Sequence, residues 1–160
     1  MAAAQQAHDL KLWTWDKTAN TITIANQHAF EFLNGGWVEE FALVTLDDSG
    51  YFDEVLANVE VQDFAGEMDV AATLNGRLGI IECKTTGPAK GERKASVIVK
   101  YLMHEHMFGG LYAKAILALP SNEDITDWKK LCDQYDVAHP IHSDELKYLA
   151  NTMYRLLTPI

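Results

Sequence analysis

The chain has 160 residues, of which 48% are hydrophobic and 22% charged, as expected for one ordinary globular domain. Its formal net charge of −10 argues against a protein that coats nucleic acid with a broad basic face, but it leaves open an enzyme whose carboxylates hold metal ions. The chain shows neither a signal-peptide pattern nor an apolar run of membrane-spanning length. We therefore expect a cytoplasmic protein without membrane association, with Cys83 and Cys132 as reduced core residues.

Hydrophobic periodicity predicts alternating strands and helices along the chain. A turn at Asn20 separates two short strands, Gly35-Gly36 interrupts the first helical pattern, and Asn75-Gly76 is a strong signal for a two-residue hairpin. The predicted strands cover residues 10–15, 20–25, 55–64, 66–74, 77–84, 113–119 and 137–141, and the predicted helices cover residues 28–47, 93–108, 123–135 and 143–157.

A hairpin followed by a strand–helix–strand crossover predicts an α/β fold, a mixed sheet with helices on both faces. We divide the chain into an N-terminal extension, residues 1–26, and a main domain, residues 27–160.

The strand after the hairpin turn carries the most informative residues. Glu82 and Lys84 follow an apolar run and are two residues apart, so they share one face of the strand, while Cys83 points to the other. Asp69 lies on the preceding strand, which the hairpin brings alongside. The sequence therefore predicts that two carboxylates and one ammonium group converge near one end of the sheet.

Hydrolysis of a phosphodiester bond requires groups of these types. Asp69 and Glu82 would supply the hard oxygen ligands that Mg²⁺ or Mn²⁺ prefers, and the metal ion would polarise the phosphate. Lys84 would orient or deprotonate the attacking water, or neutralise charge in the transition state. Glu39 or Glu40, on the first predicted helix, would complete the metal site.

A structural interpretation competes with the catalytic one, because an acidic residue and a lysine often form weak ion pairs on exposed strands. The apolar strand before Glu82 and the position of Asp69 across a hairpin favour the catalytic interpretation. Lys94 and Lys100, on the predicted helix over residues 93–108, would either contact the phosphate backbone or lie on a solvated surface.

The pattern resembles the PD-(D/E)XK nuclease superfamily, with Met68-Asp69 in place of the usual Pro-Asp. More narrowly, residues 20–120 are similar to the C-terminal nuclease domain of CARF-type CRISPR ancillary effectors. The motifs that carry this resemblance are Phe32-Leu33-Asn34-Gly35-Gly36-Trp37-Val38-Glu39-Glu40, Gly66-Glu67-Met68-Asp69-Val70, Asn75-Gly76-Arg77-Leu78, Ile81-Glu82-Cys83-Lys84-Thr85 and Gly109-Gly110.

The resemblance implies a restriction-endonuclease-like fold and a nuclease that cuts DNA, and in some members RNA, with Mn²⁺ or Mg²⁺. It selects Glu39 as the helix glutamate, four residues after Gly35, with Glu40 as the alternative. Glu67 would be an additional metal ligand or a residue that supports a metal ligand. It also implies a homodimer, and association with an effector containing a CARF domain, the module that senses cyclic oligoadenylate. The 160 residues leave no room for such a domain before residue 20, so we expect an excised domain or a free-standing relative.

An alternative is a catalytically silent module that keeps the nuclease fold and binds a partner effector or nucleic acid, as a regulator or decoy. The acidic charge favours this alternative, whereas the intact set of Asp69, Glu82 and Lys84 favours an active enzyme.

Overall fold

The computed structural model describes residues 11–16, 18–62, 67–85, 107, 112–119, 125–137 and 139–158. The chain forms two compact units, Met1–Trp37 and Val38–Ile160. In the described residues the strands are β1 Trp13–Asp16, β2 Thr21–Ile24, β3 Glu54–Glu60, β4 Glu67–Leu74, β5 Arg77–Cys83, β6 Ala113–Leu119 and β7 His139–His142. The α-helices there are α1 Gln27–Glu31, α2 Trp37–Ser49, α3 Thr126–Tyr135 and α4 Leu149–Leu157. The helix predicted over residues 93–108, with Lys94 and Lys100, lies outside the described residues except for Met107.

The first unit contains the antiparallel hairpin of β1 and β2, as the sequence predicts. Asn20, in its turn, adopts a left-handed backbone with φ 52°, a conformation that asparagine tolerates better than most residues. The helix that follows begins one residue earlier than expected, because the side chain of Asn26 caps it by accepting a hydrogen bond of 2.9 Å from the Ala29 amide. The interruption predicted at Gly35-Gly36 is confirmed as a π-helical segment, Phe32–Gly36, in which Gly35 has φ 142°.

The second unit is organised by a five-stranded mixed sheet in the order β3-β4-β5-β6-β7. The first three strands are antiparallel neighbours, and β5, β6 and β7 are parallel. Asn75 and Gly76 both have positive φ, 51° and 74°, as the predicted two-residue turn between β4 and β5 requires. The predicted mixed sheet is therefore confirmed.

Both faces of this sheet are buried. On one face lies the main cluster, which consists of buried residues of the sheet, α2, α4 and the adjoining 3₁₀ segment: Val38, Ala42, Leu46, Val70, Ala72, Leu74, Ile81, Cys83, Ile116, Ala118, Ile141, Leu146, Leu149, Met153 and Leu157. On the other face, Leu117 and Leu119 pack against Trp128 and Cys132 of α3. Helices thus cover both faces, and both cysteines are buried and free, as predicted.

The C-terminal segment differs in detail from the prediction. The final helix was expected to begin at Ser143, but residues Ser143–Tyr148 form a 3₁₀ helix and α4 begins only at Leu149. The carboxylate of Glu145 accepts a hydrogen bond of 3.0 Å from the His142 amide, which stabilises this tighter first turn. Among the described residues, no helix is long and apolar enough to cross a membrane.

Candidate active site

The candidate site begins where β4 and β5 stop pairing through their main chains. Their ladder runs from the turn to the pair Val70 and Ile81, which is its last member. One step farther, the carboxylate oxygen Oδ2 of Asp69 accepts a hydrogen bond of 2.7 Å from the backbone amide of Cys83. The Lys84 amide meanwhile donates to the Ala118 carbonyl at 2.9 Å, so this end of β5 stays attached to β6. At this end of the two strands, the Asp69 side chain therefore replaces the main chain as the hydrogen-bond acceptor that joins β4 to β5.

Glu82 and Lys84 form an ion pair at this end of β5. The Glu82 carboxylate is buried, with only 3% of the side chain exposed, and its Oε1 lies 3.1 Å from Nζ of Lys84. A carboxylate loses most of its hydration energy when it is buried this deeply, and a paired cation compensates for that loss. The geometry differs from that of the weak surface pair in the competing interpretation, since one partner is almost fully removed from water.

The electrostatics of the site reflect an excess of negative charge. Burial, followed by the charges of Glu82 and Glu39, raises the pKa of Asp69 to about 7, although the Cys83 amide and Lys84 oppose the rise. Burial also raises the pKa of Glu39 above its ordinary value, with further contributions from the charges of Glu67 and Glu82. Each charged carboxylate thus disfavours ionisation of its neighbours, and Lys84 offsets only part of this repulsion.

The side chain of Cys83 packs in the main hydrophobic cluster. Burial raises the pKa of its thiol, and the nearby charge of Asp69 raises it further. Both effects disfavour the thiolate, the nucleophilic form of cysteine. Its contribution is the backbone amide that holds Asp69.

The structure brings together most of the residues that the sequence singled out. Glu39, on the first turn of α2, is half-buried and within electrostatic range of Glu82 and Lys84. Glu67, the first residue of β4, is exposed but close enough to raise the pKa of Glu39. Glu40 is exposed, and its charge is not among the causes of the pKa shifts at the site. Of the two helix glutamates, Glu39 is therefore the one that faces the group.

The donor set fits a hard divalent cation. Glu39, Asp69 and Glu82 offer carboxylate oxygens, which Mg²⁺ and Mn²⁺ prefer, and they repel one another in a partly buried place where a cation would relieve the repulsion. Within the described ranges, no three His, Cys, Asp or Glu side chains are already arranged to hold an ion. Two of these carboxylates are instead engaged with protein donors, Asp69 with the Cys83 amide and Glu82 with Lys84.

Sequence reasoning missed the backbone amide of Cys83 as the partner of Asp69. The two-residue turn at Asn75-Gly76 fixes the register of the hairpin, and counting back from it places Asp69 opposite Glu82. That count finds the proximity of the two carboxylates. It does not find the hydrogen bond, because the main-chain ladder ends just before this position.

Comparison with known families identifies the kind of domain that carries these residues. The model of the "Card1-like, endonuclease domain" family matches residues 26–153, well over half of the chain. The chain belongs to this family. The similarity to nuclease domains of the CARF-associated type that the sequence indicated is thereby confirmed, and this Card1-like chain is an endonuclease domain by descent. Comparison with curated proteins found no match.

Solved structures share the fold of this Card1-like domain. VC1899 from Vibrio cholerae has a TM-score of 0.76 at 26% identity, over 98% of this chain and 42% of that protein. Can2 from Sulfobacillus thermosulfidooxidans, solved in complex with cyclic tetra-adenylate, has a TM-score of 0.78 at 21% identity, over 98% of this chain and 45% of that protein. The chain thus spans less than half the length of either relative.

A restriction enzyme shares the fold more distantly. The small subunit of the heterodimeric restriction endonuclease R.BspD6I has a TM-score of 0.52 at 15% identity, over 73% of this chain and 68% of that one. The predicted restriction-endonuclease-like α/β fold of the Card1-like domain is therefore confirmed.

Proposed function

We propose that this chain is a metal-dependent endonuclease that hydrolyses phosphodiester bonds of DNA, with RNA as a second substrate to be tested. The observation that carries the proposal is the buried Glu82 carboxylate, paired with Lys84 at 3.1 Å and placed next to Asp69 in a family of endonuclease domains. Burial of a carboxylate beside other carboxylates lowers stability, and such arrangements concentrate at functional sites.

The residues divide into two roles. Asp69, Glu82 and Glu39 would hold Mg²⁺ or Mn²⁺, and Glu67, whose charge acts on Glu39, would hold an ion or support Glu39. A bound ion would supply Lewis-acid polarisation of a phosphate oxygen. Lys84 adds a fixed positive charge beside the carboxylates, and its ammonium group can donate a hydrogen bond to the attacking water or to a phosphate oxygen on which charge develops.

The proposed biological setting rests on similarity to known proteins. We propose that the domain acts in the cytoplasm, in CRISPR-linked antiviral defence, and that its cleavage is controlled by a module that senses cyclic oligoadenylate. The support is the similarity to Can2, which was solved with cyclic tetra-adenylate and of which this chain covers 45%. A CARF-type sensor, whether in the same polypeptide or in a partner effector, would be the source of control.

A cleavage assay with matched variants tests the proposal. Labelled single- and double-stranded DNA and RNA are incubated with the wild-type protein in Mn²⁺, in Mg²⁺ and in EDTA, and with the variants Asp69→Asn and Glu82→Gln. The exposed Asp47 on α2 supplies the control Asp47→Asn, which removes one negative charge away from the site. We expect cleavage by the wild type and the control in Mn²⁺, either alone or after addition of cyclic tetra-adenylate and a CARF-containing effector, and none in EDTA or by the two site variants.

The same assay separates the alternative. A silent module that binds nucleic acid or a partner would show no cleavage by the wild type with any substrate and metal, in the presence or absence of cyclic tetra-adenylate and a CARF-containing effector. Cleavage that persists in Glu82→Gln would instead mean that the nuclease site lies elsewhere in the chain.

A further inference from the structure

The edge strand β3 contains an irregular residue at the position that faces Asp69. The register of β3 on β4 pairs Ala57 with Val70 and Val59 with Met68, which leaves Asn58 opposite Asp69. Asn58 has φ 53°, in the left-handed region, whereas a regular strand keeps φ strongly negative. A single left-handed residue inside a strand therefore sits directly across from a proposed metal ligand.

Both strands change the face on which they pack at this same position. Side chains two residues apart on a regular strand share one face of the sheet. On β4, however, Val70 belongs to the main cluster, while Met68 packs with Ile80 and Ala115 in a separate small cluster. The β3–β4 ribbon thus rolls about its axis between these residues.

The neighbouring strand shows the same roll. On β3, Val55 packs against the main cluster, whereas Val59 packs against the small cluster with Met68. Regular alternation would put Val55 and Val59 on one face, since they are four residues apart. The change of face therefore occurs between Val55 and Val59 on β3 and between Met68 and Val70 on β4, and Asn58 is the residue with positive φ in that part of β3.

The roll explains how Asp69 reaches its hydrogen-bond donor. Strand side chains normally stand perpendicular to the sheet, whereas a main-chain amide of the next strand lies in the plane of the sheet. The Asp69 carboxylate nevertheless accepts from the Cys83 amide at 2.7 Å, so it extends along the sheet towards β5. That direction also keeps it near Glu82.

We propose that Asn58 is a positioning residue for the active site: its left-handed backbone creates the roll that aims the Asp69 carboxylate at the Cys83 amide. The inference rests on the proposed function only in so far as Asp69 serves catalysis. Asparagine and glycine tolerate this backbone conformation, whereas alanine and β-branched residues favour the extended one, which would straighten β3.

Hydrogen exchange of the Cys83 amide reports this geometry directly, without metal or substrate. We expect Asn58→Ala to lower the protection factor of that amide at least about tenfold relative to the Ile116 amide of β6, while Asn58→Gly preserves it. Asp69→Ala should lower it similarly, which establishes the reporter. Asn20→Ala, at the other left-handed asparagine in the β1–β2 turn, is the matched control and should leave the Cys83 amide unchanged.

The outcomes separate positioning from general stability and from the proposed function. Equal loss of protection at Cys83 and Ile116 in Asn58→Ala, or unchanged protection at Cys83, overturns the positioning role. If Asn58→Ala does not fold, Asn58→Ser imposes a milder form of the same strain and decides by the same criterion. Selective loss of protection at Cys83 in Asn58→Ala, with protection preserved in Asn58→Gly, supports the positioning role. If Mn²⁺ affinity and kcat also fall in Asn58→Ala and are preserved in Asn58→Gly, the role is linked to catalysis. Selective loss in a protein whose wild type never cleaves leaves the positioning intact and removes the nuclease proposal.

Discussion

Loss of the Asp69 proton should make the metal-free protein less stable as the pH rises. The pKa of this carboxyl is raised from 3.8 to about 7, chiefly by burial and by the charge of Glu82. Between those two values the folded protein holds a proton that the unfolded chain has released. The contribution of Asp69 to the free energy of unfolding is therefore fully present below about pH 4. It decreases as the pH rises and is lost once the pH passes about 7.

The size of the effect follows from the separation of the two pKa values. Roughly three pH units at about 1.4 kcal/mol each give an upper bound of about 4 kcal/mol. Solvent reaches part of the half-buried Asp69 side chain, so we expect about 2–3 kcal/mol. The substitution Asp69→Asn removes this dependence, because an amide stays neutral while its oxygen can still accept from the Cys83 amide.

Urea unfolding in EDTA between pH 5 and 8, followed by tryptophan fluorescence, measures the difference. The free energy of unfolding of the wild type should fall relative to that of Asp69→Asn as the pH rises. Saturating Mn²⁺ at pH 8 should then restore the wild type and leave the variant unchanged, because the cation replaces the lost proton. Parallel pH profiles for the two proteins would refute the assignment of Asp69 as a buried, like-charge-repelled carboxyl.

Three further predictions concern chemistry, packing and assembly. Lys84→Ala should lower the rate of single-turnover cleavage at saturating Mn²⁺ by about 10²–10³-fold. The control Lys129→Ala, which removes an exposed lysine on α3, should leave the rate unchanged. Near-wild-type rates for Lys84→Ala would show that the active site is misassigned. Gly79→Ala should destabilise the fold by about 1–3 kcal/mol, since its new Cβ would lie 2.6 Å from the sulfur of the buried Met153. If the destabilisations of Gly79→Ala and Met153→Ala simply add in the double variant, the clash is contradicted. Sedimentation at tens of micromolar should show a homodimer, as the resemblance to CARF-type effectors implies, and a monomer there would favour nicking or single-strand cleavage.

The sequence predicted the central sheet well because its signals are local and agree with one another. Asn75 and Gly76 can both adopt the left-handed backbone that the hairpin turn needs, so the turn and the register followed from two residues. The apolar run up to Ile81 predicted a central strand, and alternation then put Glu82 and Lys84 on one side, where they form an ion pair.

The remaining features depend on contacts between distant segments. Asn58 lies in a stretch that alternates like any edge strand, and nothing within that stretch indicates its positive φ. The burial of Glu82 likewise depends on neighbouring elements rather than on its own strand. The 3₁₀ turn after His142 was missed because periodicity of this length does not distinguish a 3₁₀ start from an α-helical one.

The charge of the site leads to a final prediction about substrate binding. Glu39, Asp69 and Glu82 carry three formal negative charges against one positive charge on Lys84, so without a cation the fully ionised group is doubly negative. The chain as a whole adds to this repulsion with a net charge of −10, and a polyanionic substrate should therefore approach poorly. One divalent cation would cancel the local excess, and nucleic acid binding itself should then depend on metal, separately from cleavage. Fluorescence anisotropy with a labelled oligonucleotide should show at least about tenfold tighter binding in Ca²⁺ than in EDTA, a dependence that Asp69→Asn weakens by improving binding in EDTA. Equal affinities in Ca²⁺ and EDTA would mean that the substrate is held by a surface distant from these carboxylates.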